Sequence, residues 1–172
     1  MRKIEGSWSG MRKYLEKEML APSLKGKVRY RATTYAGMDG DCIFEIYLDG
    51  KIKKRFSFET VNSYFIKNGL SKNKAPFGAY EYWEDFWENM QKYPIEKRTE
   101  YTDQEFASAL EIYRNQSIDK SLFSKNPIVK MFAILDRRVG KNKLKNIFQS
   151  FDKEPTFLKD IYLFRIKNEF NI

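Results

Sequence analysis

Apolar residues recur at two periods along this chain, and the switch between them divides it. Trp8, Met11, Leu15 and Met19 fall at steps of three, four and four. That is one face of a 3.6-residue period and predicts a helix over 8–20. Ser7 or Ser9 can cap it, and Pro22 with Gly26 ends it. The period then drops to two. Val28, Tyr30, Ala32 and Thr34 alternate with Lys27, Arg29, Arg31 and Thr33, predicting a strand over 27–35. A polar loop over 37–41 leads to a second strand, in which Cys42, Phe44, Ile46 and Leu48 alternate with Ile43, Glu45 and Tyr47. Asp49-Gly50 is a tight hairpin signal. Ile52, Phe56 and Phe58 continue the inward face in a third strand.

Helical spacing returns in the second half. A short helix is predicted over 59–68, stopped by Gly69, and S-K-N-K-A-P-F-G over 71–78 reads as an exposed linker. An aromatic helix follows over 79–92. Thr102 with Glu105 forms a capping box, and Tyr101 with Phe106 sits at hydrophobic-staple spacing, so a helix starts at Asp103. Asn126-Pro127 opens another, with Ile128, Met131, Phe132, Leu135 and Val139 inward and Gly140 as its stop. A further helix carries Leu144, Ile147, Phe148 and Phe151, and a last one runs from Pro155 to Asn168. The fold class expected is α+β, in one domain over 1–172. It comprises an N-terminal helix, a three-stranded antiparallel meander, a helix and a mainly helical C-terminal half. The natural subdivision is 1–70 against 79–172. The first helix and the helix after the third strand are expected to cover the inner sheet face. Phe56, Phe58, Tyr64, Phe65, Trp83, Phe86, Trp87, Phe132 and Phe148 are the expected buried aromatics.

Composition narrows the chemistry. The chain has 172 residues, 42% of them hydrophobic and 16% aromatic, enough to fill a core. No apolar run approaches the ~18 residues of a membrane span, and the N-terminus lacks the apolar stretch of a signal peptide. A single cysteine leaves no intramolecular disulfide and fits a reducing, cytoplasmic setting. Histidine is absent, which removes Ser-His and Cys-His pairs, imidazole bases and histidine metal ligands. Lys and Arg number 32 against 23 Asp and Glu, a net charge of +9. Net charge is +8 over residues 1–80, −5 over 81–120 and +6 over 121–172. Basic ends flank an acidic middle, and the surplus favours an anionic partner.

Four groups of residues could carry function. Period-two geometry places Lys27, Arg29 and Arg31 beside Lys51, Lys53 and Arg55 on the outer sheet face, with Glu45 and Tyr47 between. Clustered cations bind phosphates, and tyrosines offer platforms for unpaired bases. The same pattern also suits the wetted side of an ordinary antiparallel sheet. L-D-R-R-V-G-K-N-K-L-K, residues 135–145, joins two amphipathic stretches at helix-turn-helix spacing. Arg137, Arg138, Lys141, Lys143 and Lys145 would face a groove there. In an ordinary helical corner Arg137 and Arg138 would instead complement the C-terminal dipole of their own helix. The helix 79–92 carries Trp83, Phe86, Trp87 and Met90 on one stripe and Glu81, Glu84, Asp85 and Glu88 on the other. It suits a protein partner, or a solvated face. Cys42, with no base available, reads as a small buried hydrophobe.

The helix, three strands, helix order over 8–68 matches the outline of a double-stranded RNA-binding domain, but S-F-E-T-V opens the second helix without its lysines. W-S-G-M-R-K-Y-L-E at 8–16, S-L-K-G-K-V-R-Y-R-A-T-T-Y at 23–35 and N-P-I-V-K-M-F-A-I-L-D-R-R-V-G-K at 126–141 resemble a family of small bacterial proteins without assigned function. The chain departs from that pattern at Gly10 and Asn142, and 70–120 lie outside it. The resemblance implies a bacterial cytosolic protein and brings no cofactor or catalytic residue. The first expectation is therefore a non-enzymatic protein that binds an anionic partner, nucleic acid above all, with no cofactor. The alternative is an immunity- or antitoxin-like protein whose acidic helix meets another protein. An enzyme working with carboxylates alone ranks third, because no paired-carboxylate spacing marks it.

Overall fold

In the computed structural model, residues 6–34, 42–72 and 75–172 are described, and the side chains of Thr34 and Phe148 are not. The predicted loop over 37–41 therefore lies outside the described residues, as does the expected burial of Phe148. Helix α1 (Trp8–Lys13) is capped by Ser7, whose Oγ accepts the Gly10 N–H, and continues as a π turn over Tyr14–Met19. Strands β1 (Val28–Thr34), β2 (Cys42–Leu48) and β3 (Lys51–Phe56) form an antiparallel sheet in the order β1-β2-β3. The β2–β3 turn rests on Asp49 and Gly50, both at positive φ, as a tight two-residue hairpin requires. Helices α2 (Phe58–Lys67), α3 (Tyr80–Lys92), α4 (Asp103–Asn115), α5 (Ile118–Leu122), α6 (Pro127–Leu135), α7 (Lys141–Ile147) and α8 (Thr156–Phe170) complete the α+β fold. The capping box predicted at Thr102 and Glu105 is present, and the Asn126 side chain caps α6 by accepting from Ile128 and Val129 N–H.

Two hydrophobic clusters form. The larger joins the inner sheet face to α1, α4, α6 and α8. Phe106 of α4 stacks on Phe44 with centroids 4.4 Å apart and tilts against Phe56 at 4.9 Å. The smaller gathers Val61, Phe65 and Phe86, with Phe58, Tyr64 and Met90 packed around them. The helix after the third strand thus does not cover the sheet; α4 does. Phe58 opens α2 instead of ending β3, because Ser57 caps that helix by accepting the Thr60 N–H. Trp87, expected in the core, is 48% exposed.

Helix α6 is the pillar of the larger core: of its residues only Lys130 is not buried. It stops at Leu135, short of the Val139 expected, because the chain turns there to make a polar knot. Ala21 N–H donates to Leu135 O at 2.9 Å and Arg137 N–H to Met19 O at 2.8 Å, tying the end of α6 to the segment after the π turn. Asp136 is buried and accepts from Tyr113 Oη, from Arg138 N–H at 2.7 Å and from the Arg138 guanidinium. Burial, reinforced by Asp136, pushes the Tyr113 phenol well above its ordinary range, so it stays a donor. Nearby, the buried Arg165 of α8 donates to Val139 O at 3.0 Å and ion-pairs with Glu169.

Removing the Asp136 carboxylate strands a buried phenol and breaks a charged pair. Asp136→Ala is expected to lower the unfolding free energy by about 3 kcal/mol and Tyr113→Phe by about 1 kcal/mol. Because the two share one hydrogen bond, the double variant should lose less than the sum. Urea denaturation of the three variants measures this.

Candidate nucleic-acid interface

The outer sheet face is set by register. Arg29 pairs with Tyr47 and Arg31 with Glu45 across β1 and β2, and Glu45 pairs with Arg55 across β2 and β3. The three arginines are exposed, while Glu45 beneath them is 5% exposed. Arg29 and Arg31 stand about 7 Å apart along β1, and Arg31 and Arg55 about 10 Å apart across β2. Glu45 accepts from Tyr47 Oη at 2.8 Å and from Arg55 Nε at 2.9 Å. Burial alone would raise its pKa, but the bonds from Tyr47 and Arg55 and the charges of Arg55 and Arg31 outweigh burial and lower it. One carboxylate so held lies between the guanidinium groups of Arg31 and Arg55 and fixes Tyr47 and Arg55 in place.

The other half of the predicted face is taken apart by a bulge. Ile46 pairs with Lys54 but Tyr47 with Ile52, so Lys53 has no opposite number. This extra residue swaps the sides beyond it. Ile52 joins Tyr47 on the outer face, half exposed, and Lys51 takes the inner register beside Leu48. Lys53 pairs with Asp160 of α8. Lys54 turns inward to Glu100 at 2.7 Å, where burial holds its ammonium below the ordinary lysine value. Lys27 also leaves the face. Gly26 at φ +80° turns the chain between Lys25 and Lys27, and the Lys27 ammonium donates to Asn168 of α8.

Two cations not expected take the place of these. A pocket of about 380 Å³ is lined by Glu16, Lys17, Lys25, Gly26, Val28 and Arg29. Lys17 comes from the π turn and shares no period with Arg29, and Lys25, two steps of the alternation before Arg29, is carried off the strand by the turn at Gly26. Glu16 is engaged there, accepting the Tyr30 N–H at 2.7 Å. The combined surface carries five cations, Lys17, Lys25, Arg29, Arg31 and Arg55, against Glu16 and Glu45.

The helical corner is differently arranged. Arg138 is held by Asp136, and Lys143 pairs with Asp119 of α5 at 2.5 Å. Lys141 and Lys145 both stand over the Phe170 ring at 5.3 Å. Arg137 is exposed, but its backbone belongs to the Met19 contact. Helix α6, buried along its length, has no face to lay across a phosphate backbone. On α3, Glu81, Glu84 and Glu88 are exposed, Glu88 pairing with Lys92 at 2.8 Å. Asp85 instead accepts from Ser71 Oγ at 2.8 Å and fastens the end of α2. Among the described residues no cluster of three carboxylate or cysteine side chains converges as a metal site, and no helix is long and apolar enough to cross a membrane.

Compared with known proteins, residues 7–166 match the model of the SF0329 protein family, a span that contains all three motifs carrying the family resemblance. No curated protein and no solved structure matches the chain.

Glu45 gives the interface a titration signature. Its folded pKa lies below its unfolded value, so its stabilisation is full above about pH 4.3 and is lost as pH falls through the lower folded value. Glu45→Gln should lack this dependence. The gap in urea midpoint between wild type and variant should therefore narrow from about pH 7 to about pH 3.

Proposed function

We propose that this chain, which belongs to the SF0329 protein family, binds single-stranded nucleic acid on its outer sheet face, and does so as a binding protein without catalysis. One observation carries the reading. Arg29, Arg31 and Arg55 are exposed on one face with Tyr47 and Ile52, and the pocket holding Lys17 and Lys25 opens beside Arg29. Cations spaced about 7–10 Å apart can follow a chain of phosphates. Tyr47, Ile52 and the guanidinium planes offer surfaces on which unpaired bases stack. A duplex would meet the charges but present no unpaired bases to stack on Tyr47 and Ile52. The sheet face is preferred to the helical corner because its arginines share one exposed face with Tyr47 and Ile52, whereas α6 is buried along its length and offers no such face.

Surplus charge alone gives some retention of any polyanion, so the slope of log affinity against log salt decides. Removing one cation that neutralises a phosphate of a single strand should reduce that slope by about 0.7. Lys17→Ala, Lys25→Ala and Arg29→Ala together should remove about two units on single-stranded RNA or DNA. Arg31→Gln and Arg55→Gln, made with Glu45→Gln so that no carboxylate is stranded, should remove about one more. Lys141→Ala, Lys143→Ala and Lys145→Ala together should change it little. A reduction that follows the helical corner would move the site there. Equal small reductions in all three variants would mean attraction by net charge, and the proposal would fall.

A further inference from the structure

Between α3 and the start of α4 a second surface stands open, with the opposite charge. Helix α3 carries one broad apolar face that its neighbours cover unevenly. Phe86 and Tyr93 turn toward Phe65 of α2, with centroid distances of 5.7 and 6.3 Å. Along its other edge Tyr80, Trp83, Trp87 and Met90 form a stripe that the smaller cluster covers only at Trp83 and Met90: Tyr80 is 77% exposed and Trp87 48%. Trp83, Trp87 and Met90 form one wall of a half-open cavity of about 670 Å³, whose other wall is Ile95, the start of α4 and Asn126. The stripe runs about 15 Å along α3, roughly three helical turns.

Charge identifies the occupant. Residues 80–105 hold eight carboxylates and three cations, inside a chain of net +9. Two of those cations are spent locally, Arg98 buried against Glu105 and Lys92 on Glu88. Glu84 and Glu88 are exposed one turn apart along the edge of the aromatic stripe. Tryptophan and tyrosine supply the anchoring energy of most interfaces, and their faces also attract cations. We infer that this groove is a docking site for a cationic amphipathic helix of a partner protein. Its apolar residues at i, i+3 or i+4 and i+7 lie on Trp83, Trp87 and Met90, and its lysines or arginines meet Glu84 and displace Lys92 from Glu88. The groove is independent of the sheet face: a chain with either surface abolished retains the other.

Two synthetic peptides of about fourteen residues, roughly ten to span the stripe and one further turn, test the inference. They share one leucine face; the polar face is lysine in one and glutamate in the other. The readout is the indole N–H resonances of Trp83 and Trp87, with Trp8, packed on Phe44 at 5.2 Å, as the internal reference. The lysine peptide should shift Trp83 and Trp87 and leave Trp8, and the glutamate peptide should shift none. Trp87→Ala should weaken the lysine peptide about ten-fold or more. Glu84→Gln with Glu88→Gln, which removes charge and no packing, should weaken it several-fold at low salt, whereas Arg29→Ala with Arg31→Ala should not. Equal binding of both peptides, or no shift with either, overturns the inference. So does a response only to small aromatic amines, which would make the cavity a small-molecule site. A dimer dissolved by Trp87→Ala would assign the groove to a second copy of the chain and overturn it likewise.

Discussion

The buried carboxylate of Asp136 is the constraint on which most of the molecule depends. It sits where four segments meet. Tyr113 reaches it from α4 and Arg138 from the turn that follows α6, while flanking backbone bonds hold the residues after the π turn. Arg165 of α8 closes the group from behind through Val139 O. A charge in such a place is costly unless every lone pair is answered. The local arrangement has in effect one solution, and it fixes where the apolar faces of α1, α4, α6 and α8 can meet. It also gives L-D-R-R-V-G-K a structural reason. Arg138 serves the knot, and Val139 supplies both a buried side chain and an acceptor.

Elements with a clean period were legible in the sequence. Helix α4 announced itself by its capping box, α6 by Asn126-Pro127, and β1 and β2 by alternation. What failed were inferences that crossed from one element to another. Periodicity says that α2 has an apolar face but not what lies against it. Phe65 meets α3, while Phe106, far along the chain, covers Phe44 and Phe56. Helix α6 ends early because Asp136 needs an extended backbone to reach its partners, a tertiary demand that overrides the helical pattern through Val139.

The basic face was half legible for a related reason. Alternation holds only while the ladder is regular. One unpaired residue at Lys53 reverses the sides beyond it, so Arg55 kept its predicted place and Lys51 and Lys53 did not. Lys17 reaches Arg29 through a π turn, which leaves no period to read, and Lys25 through a glycine turn that interrupts the alternation it belongs to. The acidic helix was visible as two stripes, but not the uncovered face that Tyr80 and Trp87 present. That face exists because α4 approaches α3 without closing on it, leaving Trp87 between them.

The sheet is only three strands wide, and both its outer strands would ordinarily invite a fourth. On β1 the outward amide of Tyr30 is already occupied by the Glu16 carboxylate, delivered by the π turn. On β3 the bulge at Lys53 bends the ladder, and the exposed Lys51 at its start discourages a fourth strand. The turn that brings Lys17 to the basic pocket is therefore also a plug. A deletion that restored plain α-helical winding there would swing Glu16 about 100° around the axis. It would unseal the sheet's flank and leave this chain open to strand-by-strand growth into aggregates.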